Sequence, residues 1–180
     1  MEELIKRAES GDAEAQFHLG LAYYQGNGIE ESHEKAFEWW LKAANQGVEV
    51  ADYCLGCILF KRKDYQSAYK YYLKAIQDPL INEAGFWLGI IYEYGLGVEK
   101  KIEKAVEYYK KGAAGLNRTS FVSTDALKRL GVIHSWADLG ISHQELCENA
   151  QYRFNNSWND LIHPLPLLHS NIWLKMHLKE

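Results

Sequence analysis

Residues 12–47 read DAEAQFHLGLAYYQGNGIEESHEKAFEWWLKAANQG, and this stretch decides the fold because the chain repeats it. Its core, Ala15-x-x-x-Leu19-Gly20, returns 36 residues later as Ala51-x-x-x-Leu55-Gly56 and after 33 more as Ala84-x-x-x-Leu88-Gly89. A weaker copy is Ala126-x-x-x-Leu130-Gly131. A second signature follows each of the first three: Lys35-Ala36-x-x-Trp39-Trp40, then Ser67-Ala68-x-x-Tyr71-Tyr72, then Lys104-Ala105-x-x-Tyr108-Tyr109. Within each half the apolar residues fall at steps of three and four, as Ala15, Leu19, Ala22 and Tyr23 do, and Ala36, Trp40 and Ala43 after them. That is the spacing of an amphipathic helix. Each unit is therefore a pair of helices, and a period of this length means an array rather than one closed core.

The links between helices are equally legible. Gly26-Asn27-Gly28 and Gly95-Leu96-Gly97 can take the positive φ that ends a helix and turns the chain. Ser32 and Asp64 suit N-cap positions. In the second unit Lys61-Arg62-Lys63 replaces the glycine loop, which explains the shorter step, and Asp78-Pro79 closes that unit. Small residues Ala15, Gly20 and Ala36 allow helices to approach closely while aromatics fill the gaps, so each pair buries its face only by stacking on the next. The expected fold is all-α, an α-solenoid of antiparallel helix pairs.

These residues resemble the Sel-one-like repeat family, a 36-residue relative of the tetratricopeptide repeats. The pattern A-x-x-x-L-G-x-x-Y-Y-x-G-x-G, then K-A-x-x-W-W-x-K-A-A-x-Q-G, matches residues 12–47 almost position for position and 82–115 well, with the unit between them truncated. The resemblance implies a right-handed solenoid with units at 12–47, 48–79 (shortened), 80–115 and a diverged 116–157. A capping helix at 1–11 precedes them, and a tail with a capping helix at 158–180 follows. It also implies that the first helices line a concave face. Carried over through the Leu-Gly anchors, the ligand-facing residues are Phe17, Leu21 and Tyr24, then Tyr53, Cys57 and Phe60, then Phe86, Ile90 and Tyr94, with Trp136 in the diverged unit. Aromatic side chains of this kind supply most of the binding energy at protein interfaces.

Composition excludes several other classes. At 47% hydrophobic and 13% aromatic residues the chain is no disordered segment, and its net charge of −4 gives no bias toward polyanions. The paired aromatics are therefore expected to pack between helices rather than stack bases. The opening MEELIKRAESGD is not a secretion signal, and no apolar run approaches the roughly 18 residues of a membrane span, so a cytoplasmic location is expected. Three cysteines are too few for a disulfide framework. Cys54-Leu-Gly-Cys57 has the C-x-x-C form but lies inside a first helix, where packing is expected, and a zinc site would need two further ligands that no nearby motif supplies. Five of the seven histidines, His134, His143, His163, His169 and His177, crowd the C-terminal part at spacings that match no ligand motif. His134 takes the repeat position of Tyr23 and Tyr92, where a packed core residue is expected. No nucleophile elbow, phosphate loop or H-E-x-x-H is present. The reading is not an enzyme, with no cofactor and no metal.

In the C-terminal third, Ser142-x-x-Glu145 is a capping box that starts a helix, and Pro164 and Pro166 favour an extended path through Leu161–Leu168. Ser170 can cap a last helix carrying Ile172, Trp173, Met176 and Leu178. So apolar a tail either folds back over the open end of the last repeat or docks on another molecule. The expected function is a protein-interaction scaffold holding a protein or peptide on its concave side. Two alternatives are a bacterial immunity or antitoxin protein that blocks a secreted toxin and, behind it, a zinc- or redox-linked protein acting through the cysteines.

Overall fold

The computed structural model describes residues 1–114, 118–134 and 136–139, and every regular element among them is helical. A lone helix α1 (Glu2–Glu9) is followed by three pairs: α2 (Ala13–Gln25) with α3 (His33–Asn45), α4 (Glu49–Lys61) with α5 (Tyr65–Ala75), and α6 (Glu83–Tyr94) with α7 (Ile102–Ala113). Helix α8 (Arg118–Arg129) and a single 3₁₀ turn (Trp136–Leu139) come after them. Each helix packs on its neighbour in sequence, and α8 also reaches α6. This is the solenoid the repeats call for. Helix α1 caps its first face through Ala8, Ala15 and Leu19.

The helix ends follow from named residues. Asp12, Ser32 and Asp64 accept the backbone N–H of Ala15, Lys35 and Ser67 at 3.0, 3.3 and 3.1 Å, closing the first turns of α2, α3 and α5. Gly26 and Gly95, at φ 65° and 70°, end α2 and α6 in the left-handed conformation. The second unit keeps two full helices and shortens only their link to Arg62–Asp64, where Lys63 must take φ 62° without being glycine. A side chain there costs roughly 1 kcal/mol, partly offset by the greater freedom of an unfolded glycine. Lys63→Gly is therefore expected to raise stability by about 0.5 kcal/mol, a small upward shift of the denaturation midpoint, whereas a fall would mean that the lysine makes a compensating contact.

Packing between the two helices of a pair rests on one device used three times. A Cβ on Gly20, Gly56 or Gly89 would lie 2.5 Å from Trp40, 2.6 Å from Tyr72 or 2.4 Å from Tyr109. The missing side chain of the first helix is thus the seat for the aromatic ring of the second. All three rings are buried, and Trp40 also donates its indole N–H to the carbonyl oxygen of Phe17 at 3.2 Å. The partner aromatics Trp39, Tyr71 and Tyr108 are half-buried under Lys42, Lys74 and Lys111. Packing between helices therefore accounts for the aromatic pairs.

The fourth Leu-Gly pair departs from its expected place. Helices α2, α4 and α6 begin one or two residues before Ala15, Ala51 and Ala84, but α8 begins eight before Ala126 and ends at Arg129. Leu130-Gly131 is a turn, with Gly131 at φ 71°. The buried face of α8 is Ser120, Ser123, Thr124, Ala126 and Leu127, and its small residues admit α7 closely enough for a Cβ on Gly112 to fall 2.5 Å from the Ser123 oxygen. His134 consequently lies past the helix and is exposed, not packed in the core. The expected C-terminal helices, the sequence beyond 140 and the last four histidines lie outside the described residues.

Candidate interaction groove

Several expected groove residues lie beside their pair partner's ring, Tyr53 and Phe60 at 6.0 and 6.5 Å from Tyr72 and Phe86 at 6.1 Å from Tyr109, and neighbouring first helices also meet through side chains. Phe60 of α4 lies 4.9 Å from Trp87 of α6, centroid to centroid, and the Trp87 indole N–H points to the Tyr53 hydroxyl at 3.4 Å. Tyr24 of α2 and Cys57 of α4 line one cavity of about 280 Å³ together with His33, Glu34, Ile58, Lys61 and Arg62. Tyr24 stacks on His33 at 4.6 Å and leans on Trp40 at 5.4 Å. Arg62 pairs with Glu34 at 3.3 Å and covers the ring of Phe37. The cavity thus joins an apolar floor to a rim carrying both signs of charge.

Exposure divides the ten expected groove residues. In the first unit Phe17, Leu21 and Tyr24 are half-buried. In the second and third, Tyr53, Cys57, Phe60, Phe86 and Ile90 are at most 4% exposed, and only Tyr94, at 42%, stands open to water. Trp136 begins the 3₁₀ turn beyond α8 rather than lying on a fourth first helix, because Gly131 has already ended that helix; its side chain is outside the described residues.

Two features of the packing around the groove were not legible in the sequence. Trp87 joins the second unit to the third through Tyr53 and Phe60, yet it sits one position from the Leu-Gly anchor and reads as core. Glu93, on the groove side of α6, is 6% exposed and held from two sides. Arg129 of α8 binds both its oxygens at 2.6 and 2.8 Å, and Tyr109 of α7 donates its hydroxyl at 2.6 Å. Those bonds raise the Arg129 guanidinium above its ordinary value, while burial and the neighbouring carboxylate raise Tyr109. No sequence motif links Glu93 to Arg129, 36 residues on.

The site's chemistry is that of packing. Cys54 and Cys57 are free and buried, and burial pushes Cys57 up to about 12 and Cys54 well above its usual range, so both are neutral thiols at pH 7. Tyr24 is likewise pushed up to about 12 by burial and stays a neutral phenol. Among the described residues no group of three or more His, Cys, Asp or Glu converges to hold a metal, and no helix is long and apolar enough to cross a membrane.

Comparison with known proteins agrees with this architecture. The Sel1 repeat model matches residues 13–48, 58–78 and 83–115. A sel1-like repeat-containing protein, L21, of Acanthamoeba polyphaga mimivirus is 33% identical over 73 residues, 41% of this chain and 14% of the viral protein. The DAP3-binding cell death enhancer 1 of Rattus norvegicus is 32% identical over 120 residues, 66% of this chain and 22% of the rat protein. The chain thus spans only about a seventh to a fifth of the length of these relatives. The crystal structure of a Sel1 repeat protein from Oxalobacter formigenes superimposes with a TM-score of 0.58 at 33% identity, covering 69% of this chain and 96% of that one.

Proposed function

We propose that this chain, which belongs to the Sel1 repeat family, is a non-catalytic protein-interaction module holding a protein or peptide along the side formed by α2, α4 and α6. Sel1 repeats serve protein–protein contact, and one relative of this chain is named for binding a protein, DAP3. The observation that carries the reading is the aromatic side chains on that side that keep area open to water, Phe17, Tyr24 and Tyr94, with Tyr53, Phe60 and Phe86 packed beneath the same side. Rings supply large apolar area at little cost in side-chain freedom, which is why they dominate interface energetics. The buried, neutral thiols support packing over redox or zinc chemistry.

The test uses the full chain as bait for capture from its native extract, followed by calorimetric titration of the captured protein. Tyr24→Ala and Tyr94→Ala change the two groove tyrosines that retain exposed area, and each is expected to weaken binding by about 2 kcal/mol, roughly thirtyfold. Lys70→Ala and Glu107→Ala change exposed residues of the second helices α5 and α7 and are expected to cost less than about 0.5 kcal/mol. Equal losses from both groups, with helical circular dichroism intact, would place the partner elsewhere.

A further inference from the structure

The joint between the first and second units repeats the joint between the second and third, with a thiol where the later one has an indole. At the end of α4, Phe60 lies 6.5 Å from Tyr72 and 5.0 Å from Tyr65, centroid to centroid. Trp87 of α6 closes that joint, 4.9 Å from Phe60 and stacked on Tyr72 at 6.3 Å. At the end of α2, Tyr24 lies 5.4 Å from Trp40 and 4.6 Å from His33, the same three repeat positions. The position of Trp87, three past the alanine of the Leu-Gly signature, is held in α4 by Cys54. A thiol is far smaller than an indole, and this is the joint at which the cavity of about 280 Å³ opens, against Tyr24, Cys57 and Ile58. Cavities that hold whole small molecules run from about 300 to 1,000 Å³, so this one suits a single large side chain.

The rim adds a charge. Lys61-Arg62-Lys63 stands where the first and third units have Gly26-Asn27-Gly28 and Gly95-Leu96-Gly97, so of these three links this one alone is basic. Arg62 is paired with Glu34 at 3.3 Å and His33 faces Glu31 at 3.2 Å, whereas Lys61 is exposed and makes no ion pair among the described residues. The lining therefore carries one unmatched positive charge beside an aromatic and apolar floor. We propose that the cavity takes an aromatic side chain of a partner protein, as Trp87 fills the next joint from within the chain, and that an Asp or Glu neighbouring that ring in the partner pairs with Lys61. This rests on the interaction-module reading above and gives it a partner chemistry. A ring seated against Tyr24 supplies the affinity, and the rim charge selects which rings enter.

The test is selection by the full chain from random peptides displayed on phage, each joined to the coat protein through its C-terminus so that every carboxylate is a side chain. Enriched peptides are expected to share Phe, Tyr or Trp beside Asp or Glu. The strongest of them, synthesised with an amidated end, is expected to lose roughly thirtyfold in affinity when its ring is replaced by Ala. Lys61→Glu, at an exposed position, should weaken the same peptide by roughly tenfold or more, and Lys in place of the peptide's acid should regain that loss on the Lys61→Glu chain. In a Tyr24→Leu chain that keeps its helical circular dichroism, truncating the peptide's ring should cost less than in the wild type, because ring and floor act as a pair. Should that variant lose its helical signal, the charge exchange decides alone. No enrichment, enrichment without the ring and acid, additive losses with Tyr24→Leu, or no rescue by charge exchange overturns the proposal. So does a concentration-dependent dimer in sedimentation that Lys61→Glu dissolves, which assigns the cavity to a second copy. Peptides that bind regardless of Lys61 and Tyr24 overturn it too and leave the interaction-module reading standing, since that reading fails in the capture experiment.

Discussion

Gly85→Ala is expected to destabilise the chain by about 3 kcal/mol, lowering the melting temperature by roughly 6 to 12 °C. The reason is backbone against backbone. A Cβ on Gly85 would sit 2.7 Å from the Gly112 nitrogen and 2.8 Å from the Tyr108 carbonyl oxygen, and one on Gly112 would sit 2.9 Å from the Phe86 nitrogen. Helices α6 and α7 therefore cross where neither carries a side chain, and no rotamer change can relieve the clash. The whole of α7 would have to move, carrying Tyr109 off its seat on Gly89. Gly47→Ala is the useful contrast. It has no atom within 4 Å and only a positive φ of 88° to contend with, so about 1 kcal/mol is expected. Denaturation midpoints for the two variants measure the difference, and equal shifts would contradict the crossing described.

Arg129→Leu is the second substitution with a large expected effect. It strips the buried Glu93 of two charge-assisted hydrogen bonds and leaves only the Tyr109 hydroxyl. Removing one member of a buried pair costs about 3 to 5 kcal/mol because the other charge remains out of water. Arg129's own side chain is 45% exposed, so water can reach part of the vacated space and the lower end, about 3 kcal/mol, is expected. Glu93→Leu combined with Arg129→Leu removes the stranded charge and is expected to recover at least half of the loss. A double-mutant cycle on denaturation free energies checks this. Additive losses would mean that the two side chains do not depend on one another, and α8 would then be held by its Ser120, Ser123 and Leu127 face alone.

Glu93 also illustrates where sequence reading falls short. The repeat register places it on the groove side beside Tyr94, and as an isolated glutamate it reads as a solvated contact residue. The structure turns it inward because α8 brings Arg129 against it, a pairing that spans 36 residues and no motif. The misplacement of the fourth Leu-Gly pair has a related cause. Apolar periodicity finds helices by their hydrophobic face, and the buried face of α8 is mostly Ser and Thr, with Thr124 satisfying its hydroxyl on the Ser120 carbonyl oxygen at 2.8 Å. A polar face of small residues gives no such signal. The Leu130-Gly131 pair that does give one marks a helix end, as Gly26 and Gly95 do.

The pairs, their order and their mutual packing were written locally. Glycine facing aromatic at Gly20 and Trp40, Gly56 and Tyr72, and Gly89 and Tyr109 recurs in each unit, and glycine or a capping side chain stands at several helix ends. Such signals survive because each depends on residues within one unit, and stacking units reuses the same contact. Which groove positions remain open was not written there. Phe17 and Phe86 hold equivalent places in the repeat, yet one is half-buried and the other 4% exposed. Burial at a given repeat position is set by which side chains pack on it, as Tyr109 does on Phe86, a non-local property that tertiary structure alone decides.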